Sequence, residues 1–487
     1  MRLPDQSPMG RGASLLRIIL LSLSLLLSLN PGCTSTRHRH RILIFIRPAC
    51  GASLLQITSH SLSPCDRPSA FSFCDRHAEQ AYSGRSSLAF SLALTPASPL
   101  PGTVTGFLSS TLRLSSYFSL HYLSAVKFGN RQLDLVMIGN SILSSYGNPV
   151  AELYRGLINE LAQYGHRTTF LERENKDKYQ YRDMLRSPYC EVWTYQDTDQ
   201  LLSEYRRAIQ SADVVILGNG VEESDRIAAW IAEEARGITV YYDSNLARTI
   251  KNLEGALAVG DCLSCRTVSN FNLFLSTTGG PALSRLKKVH DVSFPRPLYE
   301  SVDPYTFYRT DTERQYDLGF IGNHKAERAA QMEDMLFSPA RFTPNRQFSL
   351  AGGGYDKQEN WPRNLTYLEY LPETNLVDFY NRQRCMLVIS RADRKELGFT
   401  PSRRLLTAAA CGVPVLTEDW EGLEEFFEPH REVFCVNDKQ GVLDVLYGTE
   451  ESHRNRVGAE ARRRILGQHT ISHRAQQLLE YLDEVAD

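Results

Sequence analysis

The sequence lacks an excess of either charge: 54 Lys and Arg stand against 56 Asp and Glu in 487 residues. Bulk charge therefore gives no support to a nucleic-acid or polybasic membrane surface. Cysteines number 10, too few at this length for a disulfide framework. Cys262 and Cys265 form a CxxC, but no second ligand pair follows at a spacing that suits structural zinc. All six cysteines from Cys190 onward read as structural. Long apolar runs are also missing. The stretch Ile18–Leu29 is too short and interrupted to span a membrane. What remains is globular, 42% hydrophobic and 23% charged. The length suits roughly two to three domains.

The scarcity is sharpest at the start. Up to Ala125 the acidic residues are Asp5, Asp66, Asp75 and Glu79, and no lysine precedes Lys127. No helical or strand period persists there. The segment 1–127 is read as a low-order extension with three origins in competition. It is a secretory signal with Arg11 and Arg17 before an apolar run, a disordered extension, or upstream sequence translated from too early a start. The compositional break favours the third, with a true start near Val126.

From Leu133 the pattern changes to apolar strands alternating with amphipathic helices, which predicts an α/β fold. LDLVMIG (133–139) is a buried strand running into Asn140-Ser141 and Tyr146-Gly147-Asn148-Pro149. A helix then runs to Tyr164, with Leu153, Leu157 and Leu161 on one face and Gly165 as its stop. G-x-G-x-x-G is missing from this unit, which excludes the usual dinucleotide loop. Strands follow at 167–172, 213–218 and 238–243, with helices at 199–212 and 222–236. Asp243 closes the third of these strands, where a carboxylate either serves a ligand or caps the next turn. A strand at 271–276 delivers Thr277-Thr278-Gly279-Gly280-Pro281, either a backbone approach to a ligand or a tight turn.

Three prolines in PRPLYESVDP (295–304) predict an interdomain hinge. A second α/β set follows. YDLGFIG ends at Gly322-Asn323-His324-Lys325, and the strand 347–351 ends at Gly352-Gly353-Gly354. CMLVIS ends at Arg391. A helix is expected from Arg403 to Cys411, started by Ser402 and stopped by Gly412. Its N-terminus, with Ser402, Arg403 and Arg404, suits an anion such as a diphosphate. An acidic helix is expected around Trp420–Phe427, and a helical tail over 452–485. The domain reading is thus 128–297 and 298–487, the second including the terminal helix.

Several stretches now resemble one family in order and spacing. They are LDLVMIGNSILSSYGN, GHRTTFLERE, LSTTGGP, SVDP with YDLGFIGN, PSRRLLTAAACGVPVLTEDWEGLEEFFEPHREV, and HTISHRAQQLLEYL. Residues 133 to about 485 resemble the CgeB-like (spore-maturation) glycosyltransferases of GT-B architecture. The resemblance implies two Rossmann-like domains facing across a cleft, with a C-terminal helical tail. It implies sugar transfer from a nucleotide-sugar donor to a glycan, protein or small-molecule acceptor. Neither a bound metal nor a further cofactor is implied, because basic side chains and helix N-termini stabilise the leaving diphosphate. A bacterial, cytoplasmic enzyme is expected, with no nucleic-acid partner. Membrane association would require a real signal or anchor in the N-terminal segment.

Carried onto this sequence, Gly322, Asn323, Lys325, Gly352, Gly353, Arg391, Ser402, Arg403, Arg404 and Thr407 would hold the donor. Gly139, Ser141, Gly147, Asn148, Gly279 and Gly280 would line the acceptor side, and Asp243 would be the catalytic base. Two positions depart from the family. Thr407 stands where a glutamate commonly holds the ribose, and a hydroxyl cannot make that charged bidentate contact. Glu418 is the neighbour that could replace it. Asn245 stands where relatives often carry another acid. The alternatives are a nucleotide-sugar epimerase, which needs paired acids, and a non-catalytic sugar- or nucleotide-binding protein.

Overall fold

The computed structural model describes residues 41–49, 52–60, 131–145, 148, 150–175, 180–255, 260–356 and 361–486. Most of the N-terminal segment, where the three origins were weighed, lies outside these residues. Within it, β1 (Arg41–Ala49) and β2 (Ala52–His60) pair antiparallel. They fall in a unit separate from the one that carries everything from Arg113 onward.

Two parallel sheets organise the larger unit. The first contains β3 (Asp134–Gly139), β4 (Arg167–Arg173), β5 (Glu191–Tyr195), β6 (Val214–Gly218), β7 (Ile238–Asp243), β8 (Leu273–Ser276) and β9 (Pro295–Pro297). Their order is β5-β4-β3-β6-β7-β8-β9. LDLVMIG becomes a central strand because it is apolar on both faces, as a strand covered by helices must be. In register, Met137 lies between Phe170 and Ile216. The second sheet contains β10 (Leu318–Ile321), β11 (Phe348–Ala351), β12 (Leu365–Leu368), β13 (Met386–Val388), β14 (Val415–Thr417) and β15 (Phe434–Cys435). Their order is β12-β11-β10-β13-β14-β15. Strand order reverses at β3/β6 in one sheet and at β10/β13 in the other. Open α/β sheets bind ligands at such reversals, beyond the carboxyl ends of the strands.

Five helices position the site: α1 (Ala151–Gln163), α2 (Gly280–His290), α3 (Arg403–Ala410), α4 (Glu451–Gln468) and α5 (Ile471–Ala486). α1 buries Leu153, Leu157 and Leu161 on one stripe, and Gly165 follows at φ +90°. α3 buries Leu405 to Ala410, so its alanines are the close-packing surface against the second sheet.

Several expectations need correction. The acidic segment forms only a short turn, Leu423–Glu425, behind Gly422 at φ +87°. Trp420, Phe426 and Phe427 are buried all the same, anchoring a loop rather than a helix. The predicted helix at 199–212 breaks at Tyr205 into Thr198–Glu204 and Arg206–Ser211. Thr277–Pro281 is not a free turn, because α2 starts at Gly280 with proline in its first turn. The proline stretch begins as the edge strand β9, where missing N–H groups are tolerated.

The tail is two helices, not one. The chain recrosses between the domains at His469-Thr470, where Thr470 bridges Val302 in parallel. Val302 N–H donates to His469 O at 3.2 Å, and Ile471 N–H donates to Val302 O at 3.1 Å. Buried Arg474 ties both crossings, donating to Tyr299 O at 3.0 Å and to Gln468 O at 3.4 Å. Beyond this point α5 leaves the second domain. Ile471, Ala475, Leu478, Leu479 and Leu482 share a core with Leu153, Leu157, Tyr242 and Leu298. The terminal helix expected with the second domain therefore packs on the first. Burial of a leucine there contributes roughly 1.5–3 kcal/mol.

Candidate functional site

The second sheet's reversal carries the densest set of ligand-type groups. β10 is followed by Gly322 (φ +157°) and β11 by Gly352 (φ +132°). A Cβ on Gly352 would collide with the Gly322 carbonyl, so the two loops stack only as glycines. Asn323 Oδ1 accepts Gly353 N–H at 3.1 Å, and Tyr355 OH donates to Gly322 O at 2.8 Å. These bonds fix the loops before any ligand arrives.

Arg404, at the start of α3, lies against this platform. Its guanidinium carbon is 3.3 Å from where a Gly322 Cβ would sit. Arg328 joins it, buried, with Nη2 donating to Asn323 O at 2.8 Å and its face over Phe320. Burial holds Arg404 below its ordinary pKa; Tyr380 opposes this, and Arg328 and Arg394 add to it. Among the described residues no carboxylate pairs with Arg404, Arg328 or Arg394. Arg394 feels the carboxylates of Glu300 and Asp393; Arg404 and Arg328, close together without an ion pair among the described residues, are costly unless an anion completes them. Ser402 adds a hydroxyl at the α3 N-cap that makes no capping bond.

Arg328 and Arg394 were missed in the sequence. Arg328 fell inside a helix expected from about 326 to 337, only three positions after Lys325, and Arg394 was left without an assignment. Lys325 itself is exposed. Other expected donor residues point elsewhere. Arg391 pairs with Asp393. Arg403 reaches toward Glu152 of the first domain at 3.9 Å. Thr407 is buried, and its hydroxyl donates to Arg403 O of its own helix at 2.8 Å. Glu418 accepts Ser390 N–H at 3.2 Å and pairs with Lys395 at 3.0 Å, so both oxygens are engaged.

On the first domain, a cavity of about 360 Å³ opens at the carboxyl ends of β3 to β6 and includes Gly139 and Ser141. The Ser141 hydroxyl is used internally, donating to buried Glu172 at 3.0 Å and accepting Ser144 N–H at 3.0 Å. Asn148 donates to the Ser141 and Ser144 carbonyls. Both residues therefore shape the loop from within. Gly147 lies outside the described residues.

Gly279 and Gly280 meet protein, not open space. A Cβ on Gly279 would collide with the Tyr299 hydroxyl, and one on Gly280 with the Phe399 ring. Gly279 N–H donates to Phe399 O at 3.0 Å, and the Thr400 and Thr278 hydroxyls meet at 2.9 Å. The glycines give the second domain's 398–400 loop access to the first domain.

Asp243 is fully buried. Its Oδ1 accepts Asn245 N–H at 2.7 Å, and Oδ2 lacks a hydrogen-bond partner. Burial pushes the carboxyl up to about 6, against the Thr249 hydroxyl and the Asn245 amide. Such a group can hold a proton near neutrality.

Two acidic groupings were weighed for metal. The sequence was read as lacking the Asp-x-Asp of metal-dependent transferases, but Asp197-Thr198-Asp199 is one; it serves as a helix cap, with Asp197 accepting Gln200 N–H at 2.9 Å and Asp199 paired with Arg226. Glu152, Asp183 and Glu373 bring oxygens within 4.8 Å of one another. Arg155 already pairs with Glu152 at 2.9 Å and Asp183 at 2.7 Å.

Residues 328–480 match the family described as Glycosyl transferase-like. No curated protein matches the chain. Solved structures do. Sucrose-phosphate synthase from Thermosynechococcus elongatus superposes with TM-score 0.53 at 13% identity, over 73% of this chain and 99% of that one. HepE from Anabaena, in complex with UDP-glucose, gives TM-score 0.53 at 13% identity, over 72% and 100%. A glycosyltransferase from Rickettsia africae gives 0.51 at 9% identity, over 73% and 99%. The two sheets from β3 onward thus form a GT-B fold, and residues 328–480 within it match the glycosyl transferase-like family.

Proposed function

We propose that the protein is a glycosyltransferase that takes its sugar from a nucleotide-sugar donor. The guanidiniums of Arg404 and Arg328, which have no carboxylate ion pair among the described residues, stand at the Gly322–Asn323 loop and carry this reading. A departing nucleoside diphosphate gains negative charge as the glycosidic bond breaks. Preorganised cations and backbone amides stabilise that charge where it develops, without a metal. The donor would lie over the second sheet's reversal, with the acceptor on the first domain across the cleft. UDP-sugars are the first donors to try, because HepE of the same fold binds UDP-glucose. The motif order cited above further suggests the CgeB-like group and a bacterial cytoplasmic enzyme. Among the described residues no helix is long and apolar enough to cross a membrane.

A second reading, a nucleotide- or sugar-binding protein without turnover, is favoured by Thr407 and Asp243. Thr407 spends its hydroxyl on its own helix, and Asp243 is sealed from solvent. An epimerase would need a second acid paired with Asp243, and none is assigned.

Incubation with a panel of nucleotide sugars separates these readings. Released nucleotide together with a modified acceptor supports transfer. Interconverted donor sugar means epimerisation, and binding without turnover means the second reading. Absence of nucleotide binding altogether would sink the proposal.

A further inference from the structure

The first sheet carries another cavity, at the end away from its β3/β6 crevice. It opens at the amino ends of β3, β4 and β5 and measures about 540 Å³. That volume falls within the roughly 300–1,000 Å³ of small-molecule sites. Open α/β sheets bind at the carboxyl ends of their strands, so the fold itself assigns nothing here. β3 is six residues long, which sets the two ends roughly 20 Å apart.

The walls are of two kinds. Trp193 and Tyr189 line the cavity while 37% and 48% exposed. The Trp193 indole is braced by Tyr205, with ring centroids 5.7 Å apart and planes 25° from parallel. Thr168 also lines the cavity but is only 7% exposed, and its hydroxyl has no partner among the described residues. A hydroxyl buried without a partner is destabilising, and a ligand hydroxyl would satisfy it. His166, two residues earlier, is buried too. Its Nδ1 accepts Leu133 N–H at 3.2 Å, which leaves Nε2 to carry the proton and donate. Burial lowers the pKa of this ring and favours its neutral form.

Formal charge plays little part. The charged side chains on the wall are Asp134, Arg167 and Glu191. Arg167 grips both oxygens of Asp134 at 2.6 Å, so the cation on this wall is already engaged. One exposed aromatic ring needs no explanation. Two on one wall, with an unpaired hydroxyl and a neutral donor beside them, match one kind of molecule. A sugar ring has an apolar C–H face for the aromatics and an edge of hydroxyls for Thr168 and His166. A hydrocarbon chain would leave Thr168 unpaired, and a small ion would leave the rings bare.

We propose that this cavity is a holding site for a neutral saccharide, remote from the cleft. The binding stands on the cavity alone. Its use, keeping a chain near the cleft at raised effective concentration, rests on the glycosyl-transfer reading.

Saturation-transfer NMR on the full chain tests it with maltohexaose, cellohexaose and laminarihexaose. UDP binding is followed separately by calorimetry. At least one hexasaccharide should receive saturation. Trp193→Ala should weaken that saccharide about tenfold, and Trp193→Phe should restore part of the loss. Thr168→Val should weaken it about threefold to tenfold, the worth of one neutral hydrogen bond, without lowering the melting temperature. UDP affinity should be unchanged in all three variants. The proposal is overturned if no hexasaccharide binds. It is overturned equally if saccharide binding ignores both Trp193→Ala and Thr168→Val, since the sugar then sits elsewhere. Saccharide binding that responds to them without any UDP binding would remove the donor reading and leave this site assigned.

Discussion

The Phe399 ring occupies the space that a side chain on Gly280 would need. Phe399 holds φ +46° and Gly280 φ +62°, so each backbone takes a conformation that ordinary side chains resist. Gly422, on the other side of the ring, would collide with it just as Gly280 would. Gly280→Ala should therefore lower stability by about 2–3 kcal/mol, from overpacking and left-handed backbone together. Urea unfolding reads this directly, and an unchanged midpoint would remove the claimed contact.

Donor binding should depend on Arg404 and Arg328. Arg404→Ala should weaken UDP by about 10- to 100-fold, the range for a charge-assisted hydrogen bond in a partly desolvated site. Arg404→Lys should recover only part, since an ammonium lacks the planar fork. Arg403→Ala should matter less, because Arg403 reaches toward Glu152. Calorimetry on the three variants ranks them; equal losses would contradict the division of roles.

Asp243 gives a signed pH dependence. Its carboxyl, ordinarily at 3.8, is raised to about 6 in the folded chain. Between those values the folded state binds a proton that the unfolded chain has lost. Stability contributed by this group is thus present below pH 3.8 and lost as pH rises through 6. The effect is at most about 3 kcal/mol. Asp243→Asn should flatten that slope and raise the melting temperature at pH 7. A variant less stable than wild type at pH 7 would refute the buried, raised carboxyl.

His469 pulls the other way. Burial, with Arg474 next, holds its pKa down to about 3 from 6.5. Its Nδ1 lies 2.8 Å from Arg474 Nη2, an acceptor role that requires the neutral ring. The unfolded chain binds a proton between pH 6.5 and 3 that the folded chain refuses. Stability from His469 is complete above pH 6.5 and falls as pH drops toward 3. His469→Asn keeps an acceptor for Arg474 and should reduce the acid sensitivity. Unfolding midpoints from pH 4 to 7 that coincide in slope with wild type would count against it.

Leu478→Ala should cost about 2–5 kcal/mol through lost burial and a residual cavity. The damage should show in the first domain, since Leu478 packs with Leu153 and Leu157. Hydrogen exchange should quicken along α1 more than along α3; the reverse pattern would return α5 to the second domain.

What the sequence made legible follows from how strongly each segment is buried. LDLVMIG, DVVILG and ITVYYD are apolar on both faces, and they form β3, β6 and β7 where expected. Edge elements carry no such signal: Glu191–Tyr195 is half polar, and Pro295–Pro297 contains two prolines. Both went unread as strands. α2 was hidden because Gly-Gly-Pro reads as a turn, although proline is also at home in a helix's first turn. Gly322 and Gly352 do follow strands β10 and β11, as the strand pattern predicted. Spacing could not show that Thr407 and Ser141 turn their hydroxyls inward, nor that Arg328 folds back on Asn323. Those facts depend on rotamers, which no periodicity records.

The Val302–Thr470 bridge makes the chain pass between its two sheets twice at one place. Two crossings side by side, fastened by Arg474, tie the sheets together at a single point. Sliding one sheet past the other would have to break the backbone hydrogen bonds of both crossings at once, so the junction holds the two sheets in register.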